Sequence, residues 1–206
     1  MKAALFDLDG VLIDTEPVYT EIWSDIERHF PTGIDNFAKI IKGTTLPNIL
    51  STYFRPEDHN AIIEMLTVSE DNMAYPLFPD TVPFLEKLRQ AGIPAAIVTS
   101  SNDIKMKRLF SMYPGFENYF KSVITDSRVK RSKPDPEGYL LGATDLGMAP
   151  ADCVVFEDSF NGLKAGRAAG ATVVALATTN SPDSLRPYCD LLAQDLGDKA
   201  LDLLFQ

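Results

Sequence analysis

Histidine and cysteine each occur only twice in this chain of 206 residues, and tryptophan once. The two histidines, His29 and His59, stand apart from every motif described below and are expected at the surface. That argues against a histidine nucleophile or a zinc site. Cys153 falls inside an apolar run and Cys189 late in the chain, and two such cysteines make no disulfide framework. Both are read as packing residues of a protein in a reducing cytoplasm. No stretch approaches the roughly 20 apolar residues of a membrane span, and Ala3-Ala4-Leu5-Phe6 is too short for the apolar core of a secretory signal. Cations are also short: Lys and Arg total 19 against 29 Asp and Glu, a formal net charge of −10. Nucleic acid or an anionic membrane would need a basic face, so neither is expected as a partner. An anionic substrate would have to meet locally placed cations.

With 45% hydrophobic and 23% charged residues, the composition is that of an ordinary globular protein. The length suits one sizeable core with a smaller inserted lobe. Apolar runs at Ala3 to Phe6, Ala95 to Val98, Ser122 to Ile124, Cys153 to Phe156 and Thr172 to Leu176 are short and bounded by polar or turn residues. Helical patterns separate them. Phe84, Leu85 and Leu88 close at Gly92, Ile104 to Met112 follow Asn102, Tyr139 to Leu146 close at Gly147, and Leu163 to Ala169 close at Gly170. Strands that alternate with single helices imply right-handed crossovers, and so a doubly wound α/β fold with a parallel sheet covered on both faces.

Residues 14–79 break that rhythm. Val18, Tyr19, Ile22, Trp23, Ile26 and Phe30 mark one helical face, and Phe37, Ile40 and Ile41 follow an expected Asp35 cap. Further helices are expected from Pro47 to Phe54 and from Pro56 to Met73, each with proline where a first turn tolerates it. The reading is an α/β core of residues 1–13 and 80–206 with a small all-helical lobe of residues 14–79 inserted after the first strand. Trp23 and the other aromatics of that lobe are expected in its interior.

Four short stretches follow or sit close behind apolar runs: Asp7-Leu8-Asp9-Gly10-Val11, Thr99-Ser100, Lys133-Pro134 and Glu157-Asp158. In an α/β sheet the strand ends converge on one crevice, which would gather carboxylates, a hydroxyl and an ammonium. That set suits phosphoryl transfer. A carboxylate that attacks a phosphate dianion needs a metal to screen the repulsion, and Mg2+ takes carboxylate, carbonyl and phosphate oxygens. Asp7 and Asp158 can supply the carboxylates. Each element also has a plainer reading. Strand-end Asp residues often serve turns or caps, Thr99 to Asn102 can cap a helix, and Glu157-Asp158 can be a structural loop pair. The charges of Arg128-Val129-Lys130-Arg131-Ser132-Lys133 are read as a solvated surface except Lys133, behind which Pro134-Asp135-Pro136 fixes the start of a helix.

Taken together, Phe6 to Glu16, Ile97 to Ser101, Ser132 to Pro136, and Glu157-Asp158-Ser159 with Gly162 and Ala165 to Gly170 resemble the haloacid dehalogenase superfamily. Within it, the chain is similar to the β-phosphoglucomutase-like phosphatases with a helical cap. The resemblance implies that Asp9 lends its backbone carbonyl to the metal and that Glu157 assists, so that the metal set comprises Asp7, Asp9, Glu157 and Asp158. Asp7 would be the nucleophile that becomes an aspartyl phosphate. Asp9 would give a proton to the leaving oxygen and later take one from water or a sugar hydroxyl. Thr99 and the backbone amides of Ser100, Ser101 and Asn102 would hold the transferring group, Lys133 would offset its charge, and Lys42 and Gly43 of the lobe would meet substrate.

An aspartate at position 9 sets the chain apart from the family's dehalogenases and phosphonate-cleaving members, which lack a carboxylate there, and from its cation-pumping ATPases, which carry threonine. Hydrolysis of a phosphomonoester or relocation of phosphate on a sugar remains. The mutases follow a Lys-Gly pair, after two further residues, with an arginine, where Lys42-Gly43-Thr44-Thr45 of this chain is followed by Leu46, and they carry a histidine where it has Tyr19. The expected activity is therefore a phosphatase of a small phosphorylated metabolite, a sugar or polyol phosphate foremost. A mutase is the alternative, and a silent metabolite-binding protein a third reading. The lobe is expected to close as a lid on hinges near Ile13 to Thr15 and Phe78 to Thr81, on a monomer.

Overall fold

The computed structural model describes residues 2–71 and 73–205, apart from the side chains of Glu16 and Leu203. The runs Ala3–Phe6 (β1) and Ala95–Val98 (β2) are buried at every position, because a parallel sheet covered on both faces leaves its central strands no solvent side. With Ser122–Ile124 (β3), Cys153–Glu157 (β4), Thr172–Leu176 (β5) and Leu191–Ala193 (β6) they form one parallel sheet in the order β3-β2-β1-β4-β5-β6. Five strands fall where the apolar runs predict. β4 runs one residue further, pairing Glu157 with Ala175, and β6 was not anticipated. Three residues carry too little pattern to mark a strand, and β6 is defined by its pairing with β5.

The chain winds outward from β1 in both directions, through β2 to β3 on one side and β4 to β6 on the other. The reversal lies between β1 and β4, and the crevice beyond their carboxyl ends is where open α/β sheets bind ligands. Asp7 follows β1 there, and Glu157 ends β4. Alternation along β1 divides the core between two layers. Ala4 and Phe6 pack with Phe84, Leu85 and Leu88 of α5 (Thr81–Gln90) and with Met106 and Leu109 of α6 (Asp103–Met112). Ala3 and Leu5 pack with Tyr139 and Ala143 of α7 (Glu137–Asp145) and with Ala165 of α8 (Phe160–Ala168).

Between β1 and α5 lie α1 (Glu16–His29), α2 (Phe37–Ile40), α3 (Leu46–Tyr53) and α4 (His59–Asp71), with no strand of the sheet among the described residues. Their interior is aromatic: Trp23 meets Phe37 edge-on at 6.0 Å and stacks with Phe54 at 6.4 Å. Three expectations are corrected here. Asp35 does not cap α2; Asn36 precedes it in the left-handed region at φ 58°, which asparagine tolerates. Val18 and Ile40 are 36% and 45% exposed, so the inward faces of α1 and α2 are narrower than the pattern suggested. The helix expected from Pro56 to Met73 is a 3₁₀ turn at Pro56–Asp58 followed by α4, and Asn72 lies outside the described residues.

The two connections to this helical segment run side by side. Asp14 N–H donates to Pro76 O at 2.8 Å, Phe78 N–H to Leu12 O at 3.1 Å, and the buried Thr81 hydroxyl to Leu12 O at 2.8 Å. His29 is exposed and His59 half-buried, Cys153 is buried and Cys189 half-buried, and both cysteines are free. Among the described residues no helix is long and apolar enough to cross a membrane.

Candidate active site

Lys133 reaches the carboxyl ends of β1, β2 and β4. Its ammonium donates to Asp7 Oδ1 at 2.6 Å, Glu157 Oε1 at 2.7 Å and Val98 O at 3.0 Å, which uses all three of its donors. Burial alone would lower this lysine, but the Asp7 and Glu157 carboxylates outweigh it and hold the ammonium above its ordinary value. Lys130 and Arg131 are exposed, as expected for the rest of that charged run.

Glu157 has no solvent exposure and every oxygen is spoken for. Tyr139 Oη donates to Oε1 at 2.8 Å, while the amides of Asp158 and Ser159, each at 3.1 Å, and the Ser159 hydroxyl at 3.0 Å donate to Oε2. Burial and then Glu157 hold the Tyr139 phenol well above its usual range, so it remains a donor. Ser159 also caps α8, accepting from Gly162 N–H at 3.1 Å. A Cβ on Gly162 would overlap the Glu157 carboxylate, so the close packing of α8 on the strand end requires glycine.

Asp7, Glu157 and Asp158 are all buried, and one ligand oxygen from each lies within 4.8 Å of the others. With all three ionised, the carboxylates exceed the one ammonium by two negative charges, and an all-oxygen set is what a hard divalent cation prefers. Burial raises Asp7 from 3.8 to about 8, with Lys133 opposing and Glu157 and Asp9 adding to the rise. A divalent cation would act against that burial and keep the carboxylate ionised. Gly10, at φ 77°, turns the chain where a Cβ would collide with the Asp158 carboxylate and the Thr179 hydroxyl. The residues therefore fit a divalent metal.

The Asp9 carboxylate turns away from this cluster. Oδ1 accepts from Thr15 Oγ1 and, at 2.5 Å, from Lys105 Nζ, and Oδ2 accepts from Ser101 Oγ at 3.0 Å. The acidic cluster of Asp7, Glu157 and Asp158 does not include the Asp9 carboxylate. Lys105 was missed by the sequence reading, which took Ile104 and Met112 as apolar markers of α6. Ile104 is 59% exposed and Met112 50%, whereas Lys105 is 1% exposed. The available signal was its place beside Met106 and four residues before Leu109, on the inward face.

Asp7, Asp9, Asp158, Thr99, Ser100, Ser101 and Asn102 border one cleft of about 130 Å³, which Lys42 and Gly43 close from the opposite side. Lys133 and Glu157 are not on its wall and stand behind Asp7. Thr99 Oγ1 accepts from Ser101 N–H at 3.0 Å, and Asn102 Oδ1 caps α6 by accepting from Lys105 N–H at 2.9 Å. Ser100 and Asn161 fasten the 42–44 loop: Ser100 Oγ donates to Gly43 O at 3.1 Å, and Asn161 Nδ2 to Lys42 O at 3.0 Å and Thr44 Oγ1 at 3.3 Å. Gly43, at φ 72°, approaches so closely that a Cβ would lie 2.7 Å from Ser159 Oγ. The inner wall is largely apolar, with Trp23, Ile41, Leu46 and Leu66, but Glu70 and Tyr19 also face it.

A family model described as haloacid dehalogenase-like hydrolase matches residues 1–170. The chain is 34% identical to hexitol phosphatase A of Escherichia coli over 182 residues, covering 85% of this chain and 82% of that protein. It is 29% identical to the fructose-1-phosphate phosphatase of the same organism over 176 residues, 82% of this chain and 93% of the other. The β-phosphoglucomutase structure from Clostridium difficile superposes with a TM-score of 0.81 at 21% identity, covering 99% of this chain and 95% of that one, a likeness of fold.

Proposed function

The chain belongs to the haloacid dehalogenase-like hydrolases, and from that premise we propose that it is a Mg2+-dependent phosphatase of a small phosphorylated metabolite, acting through a phosphorylated Asp7. The observation that carries the reading is the buried acidic cluster of Asp7, Glu157 and Asp158 at the sheet's switch point, with Lys133 bound to Asp7. The similarity to hexitol and fructose-1-phosphate phosphatases supports a sugar or polyol phosphate as substrate.

When bound by Asp7, Asp158 and the Asp9 carbonyl, with Glu157 behind, Mg2+ would screen the charge of carboxylate and phosphate from each other. Thr99 and the amides that follow it hold the phosphoryl oxygens, and Lys133 fixes the direction of Asp7. An oxygen of Asp7 attacks phosphorus, and the ester oxygen departs with a proton from Asp9. Asp9 then takes a proton from water, whose oxygen attacks the same phosphorus. The P–O bond to Asp7 breaks, inorganic phosphate leaves and the carboxylate is restored.

In this reading residues 1–13 and 80–206 form the catalytic core and residues 14–79 a lid. Closure of the lid keeps bulk water from the aspartyl phosphate, and the bonds from Ser100 and Asn161 to the 42–44 loop hold it down. Leu46 and Glu70 on the cleft wall disfavour the mutase alternative, because neither can grip a second phosphate. The test is phosphate release from a panel of hexitol, ketose, aldose and carboxylate-bearing phosphates, with Mg2+ and with chelator. Metal-dependent release led by polyol or ketose phosphates supports the reading. Release from none, with turnover of a sugar bisphosphate instead, transfers it to the mutase.

A further inference from the structure

Lys105 has no part in the chemistry above, yet it is among the largest fully buried side chains of the protein. A lysine is almost never buried unless it is paired, and an interior position with no electrical task is filled as well by an apolar residue of the same volume. Its ammonium donates to Asp9 Oδ1 at 2.5 Å and lies 4.3 Å from the centre of the Tyr19 ring and 5.7 Å from that of Tyr75. Both rings present their faces to the cation, which attracts it and shields it from water. The Tyr19 ring is itself anchored, since its hydroxyl donates to Glu70 Oε1 at 2.7 Å.

We propose that Lys105 is a positioning residue for Asp9, held in place by Tyr19 of the helical segment, so that the carboxylate meant to exchange protons with the leaving oxygen and with water keeps one direction and a fixed countercharge. The inference rests on the phosphatase reading. Three donors from different parts of the chain converge on Asp9. Thr15 precedes α1, Ser101 follows β2, and Lys105 is on the first turn of α6. Thr15 and Ser101 are neutral, so Lys105 alone offsets the charge that appears when Asp9 gives up its proton. Because Lys105 reaches Asp9 from the core while Tyr19 of the inserted segment covers its ammonium, the aim of Asp9 is completed when the two are together. The arrangement ties acid–base competence to closure of the cleft.

The experiment compares kcat and KM for wild type, Lys105→Gln, Lys105→Arg, Asp9→Asn and the double variant Asp9→Asn/Lys105→Gln, on a hexitol phosphate and on p-nitrophenyl phosphate. The nitrophenolate leaves without a proton, so with this compound Asp9 serves only the attack of water on phosphorylated Asp7, and the residual nitrophenolate release of Asp9→Asn gives the background rate. Lys105→Gln, which keeps a polar group of similar length, is expected to lower kcat on the hexitol phosphate by about 10- to 100-fold, with KM changed less than about threefold. The loss on p-nitrophenyl phosphate should be smaller, and Lys105→Arg should recover part of it. Added to Asp9→Asn, the same substitution should change kcat less than about twofold, because its effect runs through Asp9. Wild-type kcat in Lys105→Gln, or an equal loss with and without Asp9, overturns the proposal while leaving the phosphatase reading intact. A wild-type protein that releases no phosphate from either compound defeats both.

Discussion

The Lys133 ammonium and Asp7 Oδ1 stand 2.6 Å apart across 126 residues of sequence. Lys133 is 6% exposed and the Asp7 side chain 10%, so the pair, Asp7 on the cleft wall and Lys133 behind it, lies in a medium that screens it poorly. Such a pair is a weak source of stability, since desolvation offsets most of its attraction. Its value is geometric: Lys133 is also bound to Glu157 and to the β2 carbonyl of Val98, so Asp7 is held against two strands at once. Truncation of Lys133 to Ala should cost about 3–5 kcal/mol of unfolding free energy, because it strands two buried carboxylates. Denaturant unfolding measures this, and a loss under about 1 kcal/mol would show that the carboxylates find other partners.

Gly162 gives a prediction in which two rules oppose each other. In the first turn of α8, Gly→Ala should stabilise by up to about 1 kcal/mol on helix propensity alone. The added Cβ, however, overlaps the Glu157 carboxylate, a fully buried group with five donors around it. Overpacking of that kind costs about 1–3 kcal/mol and should also displace Glu157 from Lys133. Gly162→Ala is therefore expected to unfold more easily and to lose turnover. A more stable, fully active variant would contradict this account of the strand end.

Metal and protons should exchange at Asp7. Its value of about 8 stands above the ordinary 3.8, so between those values the metal-free folded chain holds more protons than the unfolded one. The contribution of this group to stability consequently falls as pH rises through that window. Mg2+ favours the carboxylate, so its addition at pH 7 should release protons from this site, and fewer as pH rises through about 8. Calorimetry in buffers of different ionisation enthalpy reads the number directly. Release of none at pH 7 would mean that Asp7 is already ionised without metal.

The bonds of Asn161 to Lys42 O and Thr44 Oγ1 join core to helical segment. Asn161→Ala removes both, and at about 1 kcal/mol each the closed arrangement should lose roughly tenfold or more in population. A raised KM and a larger radius of gyration by X-ray scattering are expected. Unchanged KM and scattering would show that the segment does not depend on this latch.

Five of the six strands were legible because each is an unbroken apolar run that the covered sheet demands, and the Asp7, Thr99 and Glu157 positions followed from being at their ends. What escaped reading depends on partners remote in sequence. β6 exists through its pairing with β5. Asn161 looks like any polar residue of a first helical turn until the 42–44 loop arrives beside it. Lys105 sits in a helix with lysines at 105 and 107, and only the fold decides that the former points at Asp9. Asn36 replaced Asp35 as the residue before α2 because its backbone, not its side chain, makes the turn.

In the proposed reaction Asp7 carries the phosphoryl group during turnover. Wild-type protein with Mg2+ should be mixed with the best substrate of the panel, quenched in acid within the first turnover, and digested for mass spectrometry, beside Asp7→Asn treated alike. One phosphoryl group is expected on the peptide that contains Asp7, with its removal by hydroxylamine and neither label nor phosphate release from the variant. Full turnover by Asp7→Asn, or a phosphoryl group found on another residue, would contradict it.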